Sequence, residues 1–253
     1  MNKDVDWHAR FSQQAGWTRD LRQYLFKKAG LAMASRILEV GCGTGAILAD
    51  IPNRAGSQVY GLDIDPGMIQ QAARNVPQAV LTVADAHNLP YPNETFEITF
   101  CHYLLLWVAS PLKVLQEMKR ITMTGGVVMA MAEPDYSMRM DEPESMQEAG
   151  RLQTASLQEQ GADVSMGAKL GDLFRKAGID LVESGWMENR KEVKQLIERL
   201  EEEHDLEWQV LESDIRGYIT REQMEIFHQM DMEARRKGTR KIQIPTAFAW
   251  GKV

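Results

Sequence analysis

A chain of 253 residues, 44% apolar and 26% charged, has the size and composition of one α/β domain with room for a small second lobe. Its formal net charge of -7 argues against nucleic acid as a partner, because phosphate binding needs a footprint of lysine and arginine. Its two cysteines, Cys42 and Cys101, are too far apart for a CxxC motif, and no stretch approaches the ~18–20 apolar residues of a membrane helix.

Without a CxxC or a disulfide framework a reducing cytoplasm is expected, and without a long apolar stretch no membrane partner; residues 1–6 lack the apolar core of a signal peptide. Residues 1–34 are read as a helical cover ahead of the first strand, Arg36–Val40, with a helix expected from Thr44. A second strand, 58–62, ends in Asp63. Asp65 and Pro66 then open a helix as N-cap and first-turn residue. A third strand is expected over 79–84, ending in Asp85, and a fourth over Phe96–Cys101. Ser110-Pro111 starts a helix with Leu112, Leu115, Met118 and Thr122 on one stripe. Thr124-Gly125-Gly126 reads as a turn before a fifth strand, 127–132. Apolar strands alternating with helices indicate a buried parallel sheet.

After Glu133 the rhythm breaks. Residues 136–166 and 187–238 are read as helical insertions into a single domain, 1–253, around a returning helix (169–177) and strand (179–186). Val193, Leu196, Ile197 and Leu200 make an amphipathic stripe. Thr220 and Gln223 form a capping box, and that helix should stop at Arg235-Arg236-Lys237-Gly238. A strand over 242–251 closes the chain. Asp141-Glu142 and Glu201-Glu202-Glu203 read as solvated faces.

In a parallel sheet, ligands sit beyond the carboxyl ends of the strands. The residues there are Glu39 with the loop Gly41-Cys42-Gly43-Thr44-Gly45, then Asp63, Asp85 and Cys101-His102-Tyr103. The pattern Gly41-x-Gly43-x-x-Ala46 also matches a dinucleotide fingerprint, with Asp63 as its ribose ligand. Glu39 favours the other reading, a nucleoside cofactor without phosphates. A carboxylate repels a pyrophosphate and attracts an ammonium or sulfonium.

The run 37–45, then Gly61-Leu62-Asp63-Ile64-Asp65-Pro66-Gly67-Met68-Ile69, Ala84-Asp85-Ala86 with Leu89-Pro90, and Phe96-Glu97 together resemble the class I, Rossmann-like S-adenosylmethionine-dependent methyltransferases of small-molecule type. The resemblance is strong over 34–135. It implies an α/β three-layer sandwich with a mostly parallel seven-stranded sheet whose last strand, 242–251, is antiparallel, plus helical lid insertions over the substrate site. It implies that S-adenosyl-L-methionine is the cofactor. Glu39 and the amides of Gly41, Cys42 and Gly43 would hold the methionine half, and Asp63 the ribose. Ile64 and Met68 would pack on the adenine, with Asp85 and the Ala86 amide reading its edge. Cys101 and His102 would lie near the methyl, and Arg19 would pair with the cofactor carboxylate.

Methyl transfer from a sulfonium is an in-line displacement, so placing a small-molecule acceptor near the methyl supplies most of the catalysis. A general base is needed only for a protonated acceptor; the candidates are His102, Tyr103, Glu133, Asp135 and Tyr136. His204 and His228 fall on the insertions, and no metal-ligand spacing exists. The Asn-Pro-Pro-Tyr signature of amino methylation is absent, which counts against DNA-base and glutamine methylation. A second reading is a protein that binds the cofactor without methylating, as a modified-cofactor enzyme or a sensor. A third is a nicotinamide oxidoreductase.

Overall fold

Alternation along the first strand decides how the sheet is covered. In β1 (Arg36–Val40), Ile37 faces one apolar core while Leu38 and Val40 face a second on the opposite side, as the two-residue strand period requires. Every residue from Ile37 to Val40 is buried, so β1 is central. The computed structural model describes residues 5–52, 54–187 and 197–253.

Ahead of β1 come α1 (Trp7–Trp17) and α2 (Arg19–Lys28). Next in the chain are β2 (Gln58–Asp63), α3 (Pro66–Asn75), β3 (Val80–Val83), β4 (Phe96–Cys101), α4 (Pro111–Ile121) and β5 (Thr122–Pro134). β6 (Met140–Glu142), α5 (Gln147–Glu159), α6 (Met166–Lys176), β7 (Asp180–Trp186), α7 (Ile197–Ile215), α8 (Arg221–Arg236), β8 (Lys241–Gln243) and β9 (Thr246–Lys252) complete it. The main sheet has seven strands in the order β3-β2-β1-β4-β5-β9-β7. All pairings are parallel except those of β9, which runs antiparallel to both β5 and β7. On one face lie Leu25 and Phe26 of α2; on the other lie Val114, Leu115 and Met118 of α4 with Leu170 and Phe174 of α6. This is the expected three-layer α/β sandwich with one antiparallel strand. The strand order reverses between β1 and β4, which fixes the ligand crevice at their carboxyl ends.

Three local expectations need correction. No α-helix follows Thr44; only a short 3-10 turn forms over Leu48–Asp50. Gly41, Gly43 and Gly45 all take positive φ, and Pro52 holds Ile51 extended, so too few residues remain for a helix. The Thr124-Gly125-Gly126 turn is instead a bulge inside β5, where the register to β4 shifts and Gly125 adopts φ 81°. The closing strand 242–251 is divided at Pro245, which has no amide to continue a ladder. Lys241–Gln243 pairs with Met140–Glu142 in a separate two-stranded sheet, and β9 starts at Thr246.

The late insertions have a core of their own: Met146, Ala149, Trp208, Leu211, Ile215 and Met224. The capping box at Thr220 is present, with Gln223 bonded back to the Thr220 amide. Asp141 is not solvated. It is buried between Arg139, 2.6 Å away, and Arg240, 2.9 Å away. The stripe at Val193, Leu196, Ile197 and Leu200 begins outside the described residues, as do the side chains of Glu201, Glu202 and Glu203; from Ile197 the backbone is helical.

Candidate functional site

Glu39 points to the same face as Ile37, beneath α2, and is 2% exposed. The Leu48 amide donates to its carboxylate, while Oε2 has no hydrogen-bond partner among the described residues. Burial pushes its carboxyl well above the usual range; the nearby Arg22 guanidinium opposes this and Asp63 adds to it. Arg22 is also 2% exposed. Its Nη1 donates to Thr18 Oγ1 at 2.6 Å and to the Ala15 carbonyl, and its Nη2 to Asp50. Its Nε has no partner among the described residues. Glu39 and Arg22 thus attract each other without forming an ion pair, and each keeps one buried polar atom unused. A buried acceptor and a buried donor left open suit an ammonium and a carboxylate, the two charges of an amino-acid group.

Arg19 is placed differently. It is exposed, at the rim of a cleft of about 200 Å³ shared with Arg22, Gln23, Phe26 and Asp50. Arg22, one turn on, is the arginine that reaches inward. Its signal was the buried stripe Thr18, Arg22, Leu25 and Phe26 along α2.

The glycine loop is tied down from within. The Gly41 and Cys42 amides donate to the Leu62 carbonyl at 2.7 and 2.9 Å, and the Gly43 amide to Asp63 Oδ2 at 2.8 Å. These amides, expected to hold a ligand, instead fasten β1 to the end of β2. Asp63 Oδ1 also accepts from the Asp65 amide at 3.0 Å. Beyond it, Ile64 is 67% exposed and Met68 half-buried on α3. A Cβ on Gly43 would meet Phe11 Cε2 at 2.9 Å, and one on Gly41 would meet Leu104 Cδ1 at 2.7 Å. So α1 and the segment after β4 lie directly on the loop. His8 Nδ1, 2.9 Å from Thr44 Oγ1, fixes α1 there.

Asp85 is exposed at the end of β3, and Ala86 beside it is buried. Hydrogen bonds from the His87 amide, then from its ring, hold the Asp85 carboxyl below its ordinary value. Cys101 is fully buried, and Cys42 nearly so; burial pushes both thiols far up, leaving them inert. His102 Nε2 lies 2.9 Å from Thr18 Oγ1, and burial, then Arg22, lowers its pKa to about 3.

Tyr103 adopts φ +53°, a left-handed conformation held by the hydrogen bond its amide donates to the Ala132 carbonyl at 2.9 Å. Burial pushes its phenol and that of Tyr136 upward, so both stay protonated donors. Glu133 is fully buried and accepts from the Leu104, Leu105 and Leu106 amides at 3.0, 3.0 and 3.2 Å. Burial takes its pKa to about 7 against those bonds. Asp135 accepts from the Ser137 hydroxyl and, at 3.0 Å, from the Ala168 amide at the start of α6. Both carboxylates are engaged in holding backbone. His204 and His228 sit on α7 and α8; His228 stacks on Trp208 at 4.5 Å. Among the described residues, no cluster of His, Cys, Asp and Glu is placed to hold a metal ion.

The crevice between β1 and β4, the glycine loop and the acidic residues at successive strand ends define a Rossmann-like nucleoside-cofactor protein. A methyltransferase-domain family model matches residues 38–130. The demethylmenaquinone methyltransferase of Lysinibacillus sphaericus is 30% identical over 191 residues, 68% of this chain and 80% of that one. The malonyl-acyl-carrier-protein O-methyltransferase of Halorhodospira halophila is 34% identical over 98 residues, 37% of this chain but only 33% of that one. Among solved structures, the (4+2)-cyclase SpnF shares the fold with TM-score 0.60 at 17% identity, over 93% of this chain and 80% of that one. The chain belongs to the class I S-adenosylmethionine-dependent methyltransferases, and S-adenosylmethionine is its cofactor.

Proposed function

We propose that the protein moves a methyl group from S-adenosylmethionine to a small-molecule acceptor, by proximity and orientation rather than by a dedicated base. The observation that carries this reading is the pair of open, buried polar atoms, Glu39 Oε2 and Arg22 Nε. They fit the ammonium and carboxylate of the methionine half. Asp63 would take the ribose hydroxyls, Ile64 and Met68 the adenine faces, and Asp85 with the Ala86 amide its edge. Arg19 is left at the rim. Bound there, the cofactor supplies an electrophilic methyl on a sulfonium whose leaving group needs no proton.

The residues beyond the strand ends support an orienting role. His102 stays neutral and is a poor base with a pKa near 3. Tyr103 and Tyr136 remain phenols, suited to donate a hydrogen bond to an acceptor oxygen. Asp135 is committed to α6. The insertions 136–166 and 187–238 would cover the acceptor, and the N-terminal segment 1–34 would close over the cofactor. The relatives' names put a demethylmenaquinone and a malonyl-acyl carrier protein among the acceptors of those proteins; here we assign the class, a small metabolite, and a cytoplasmic setting. Among the described residues no helix is long and apolar enough to cross a membrane.

Two measurements test the proposal. Calorimetry should show binding of S-adenosylmethionine and none of NAD; no binding of S-adenosylmethionine would end it. Incubation with a labelled methyl donor and a metabolite extract should yield a labelled small molecule. Binding without any labelled product would favour a cofactor-binding protein that does not methylate.

A further inference from the structure

The turn after β3 carries a hydrogen-bond chain behind Asp85, and His87, which the proposed reaction leaves unassigned, is its centre. The His87 amide and Nδ1 both approach Oδ1 of Asp85, at 2.9 and 2.7 Å. Its Nε2 accepts from the Ser110 amide at 3.2 Å. An amide only donates, so Nε2 is the bare nitrogen and the ring proton sits on Nδ1, facing the carboxylate. Ser110 is itself fixed as the N-cap of α4, its hydroxyl accepting from the Lys113 amide. The helix holds the ring, and the ring holds the carboxylate.

The result is an asymmetric carboxylate. Oδ1 receives two donors, while Oδ2 has none among the described residues, on a side chain that is 52% exposed. A single acceptor atom is thereby held in one orientation beside the buried Ala86. An exocyclic amine satisfies such an atom; a carbonyl oxygen in the same place repels it.

We infer that His87 is a positioning residue for base selection: it orients Asp85 so that Oδ2 accepts from the 6-amino group of a purine, making the site choose adenine over a 6-oxo purine. This rests on the proposed adenine contact of Asp85. The probes are S-adenosylhomocysteine and S-inosylhomocysteine, which differ at that one group, and the readout is the ratio of their calorimetric dissociation constants. A charge-assisted bond implies a preference of ~10–100-fold for the adenosyl compound in the unaltered protein. His87→Phe should reduce it to within about threefold. His87→Asn, which restores a nitrogen near the Nδ1 position, should keep most of it. Because a general loosening weakens both compounds alike, the ratio separates positioning from stability. Equal weakening of both ligands by His87→Phe, or an unchanged ratio, overturns the role of His87 provided Asp85→Ala abolishes the preference. If Asp85→Ala leaves the preference intact, the adenine contact itself is wrong and the inference falls with it.

Discussion

Thr18 Oγ1 lies 2.9 Å from His102 Nε2, which ties the junction of α1 and α2 directly to the end of β4. The same hydroxyl accepts from Arg22 Nη1 at 2.6 Å. An uncharged imidazole therefore joins the N-terminal helices to the sheet, and its pKa of about 3 has consequences for stability. The folded value lies below the unfolded value of ~6.5, so the unfolded chain takes up the proton first. The contribution is fully present above ~6.5 and is lost as pH falls toward 3, at up to about 1.4 kcal/mol per pH unit. His102→Asn should flatten the acid limb of urea-unfolding free energies measured from pH 7 to 5. Identical slopes in the two proteins would show that another group sets the acid response.

Glu39 acts in the opposite sense. Its folded pKa is raised, so its contribution is complete below the ordinary carboxylate range and is lost as pH rises through the folded value. A buried carboxylate poised for a cation costs stability when no cation is bound. Glu39→Gln should therefore raise the stability of the ligand-free protein at pH 7.5 by about 1–2 kcal/mol and weaken S-adenosylmethionine ~10–100-fold. Thermal melts with and without the cofactor check both. A variant that is less stable and still binds normally would remove Glu39 from the site.

The contact of Phe11 with Gly43 gives a paired test. Alanine at Gly43 meets both a φ of +50° and the Phe11 ring. The backbone part should cost about 1–2 kcal/mol whatever stands at Phe11, because a left-handed residue with a Cβ is strained. The steric part should vanish in the double variant Gly43→Ala with Phe11→Ala, leaving a coupling of about 0.5–2 kcal/mol in denaturant melts. Strict additivity would mean that α1 does not rest on the loop in solution.

The parts of this structure that were legible in the sequence are those set by local rules. β4 spans the predicted residues because six consecutive positions are suited to a buried strand, and the Thr220 capping box follows from a three-residue spacing. The order of acidic strand ends was legible for the same reason. What escaped depends on contacts between distant segments. The stripe along α2 gives the inward face of Arg22 but not that Asp50, from the loop after β1, meets it. The glycine-loop amides looked free because Leu62 and Asp63, their partners, come from the next strand. Asp141 reads as solvated in the sequence because Arg240, which helps bury it, comes from the distant segment before β8.

That buried pairing supports the last prediction. Arg240 donates to Asp231 at 2.7 Å and approaches Asp141 at 2.9 Å, with all three side chains almost wholly enclosed. Asp231 also accepts from Arg235, which reaches Glu207 on α7 at 3.0 Å. The chain of charges thus joins β6, α7, α8 and the segment before β8. Removing one member strands a buried charge, and Arg240 already has one nitrogen, Nη2, without a partner among the described residues. Asp231→Ala should therefore cost about 3–5 kcal/mol, more than the loss of any exposed ion pair in the protein. The damage should be local, because the insertions have a separate apolar core. Hydrogen exchange should accelerate in α7 and α8 while β1, β4 and β5 keep their protection. Uniform acceleration across the sheet would show that the insertions and the sheet unfold as one unit.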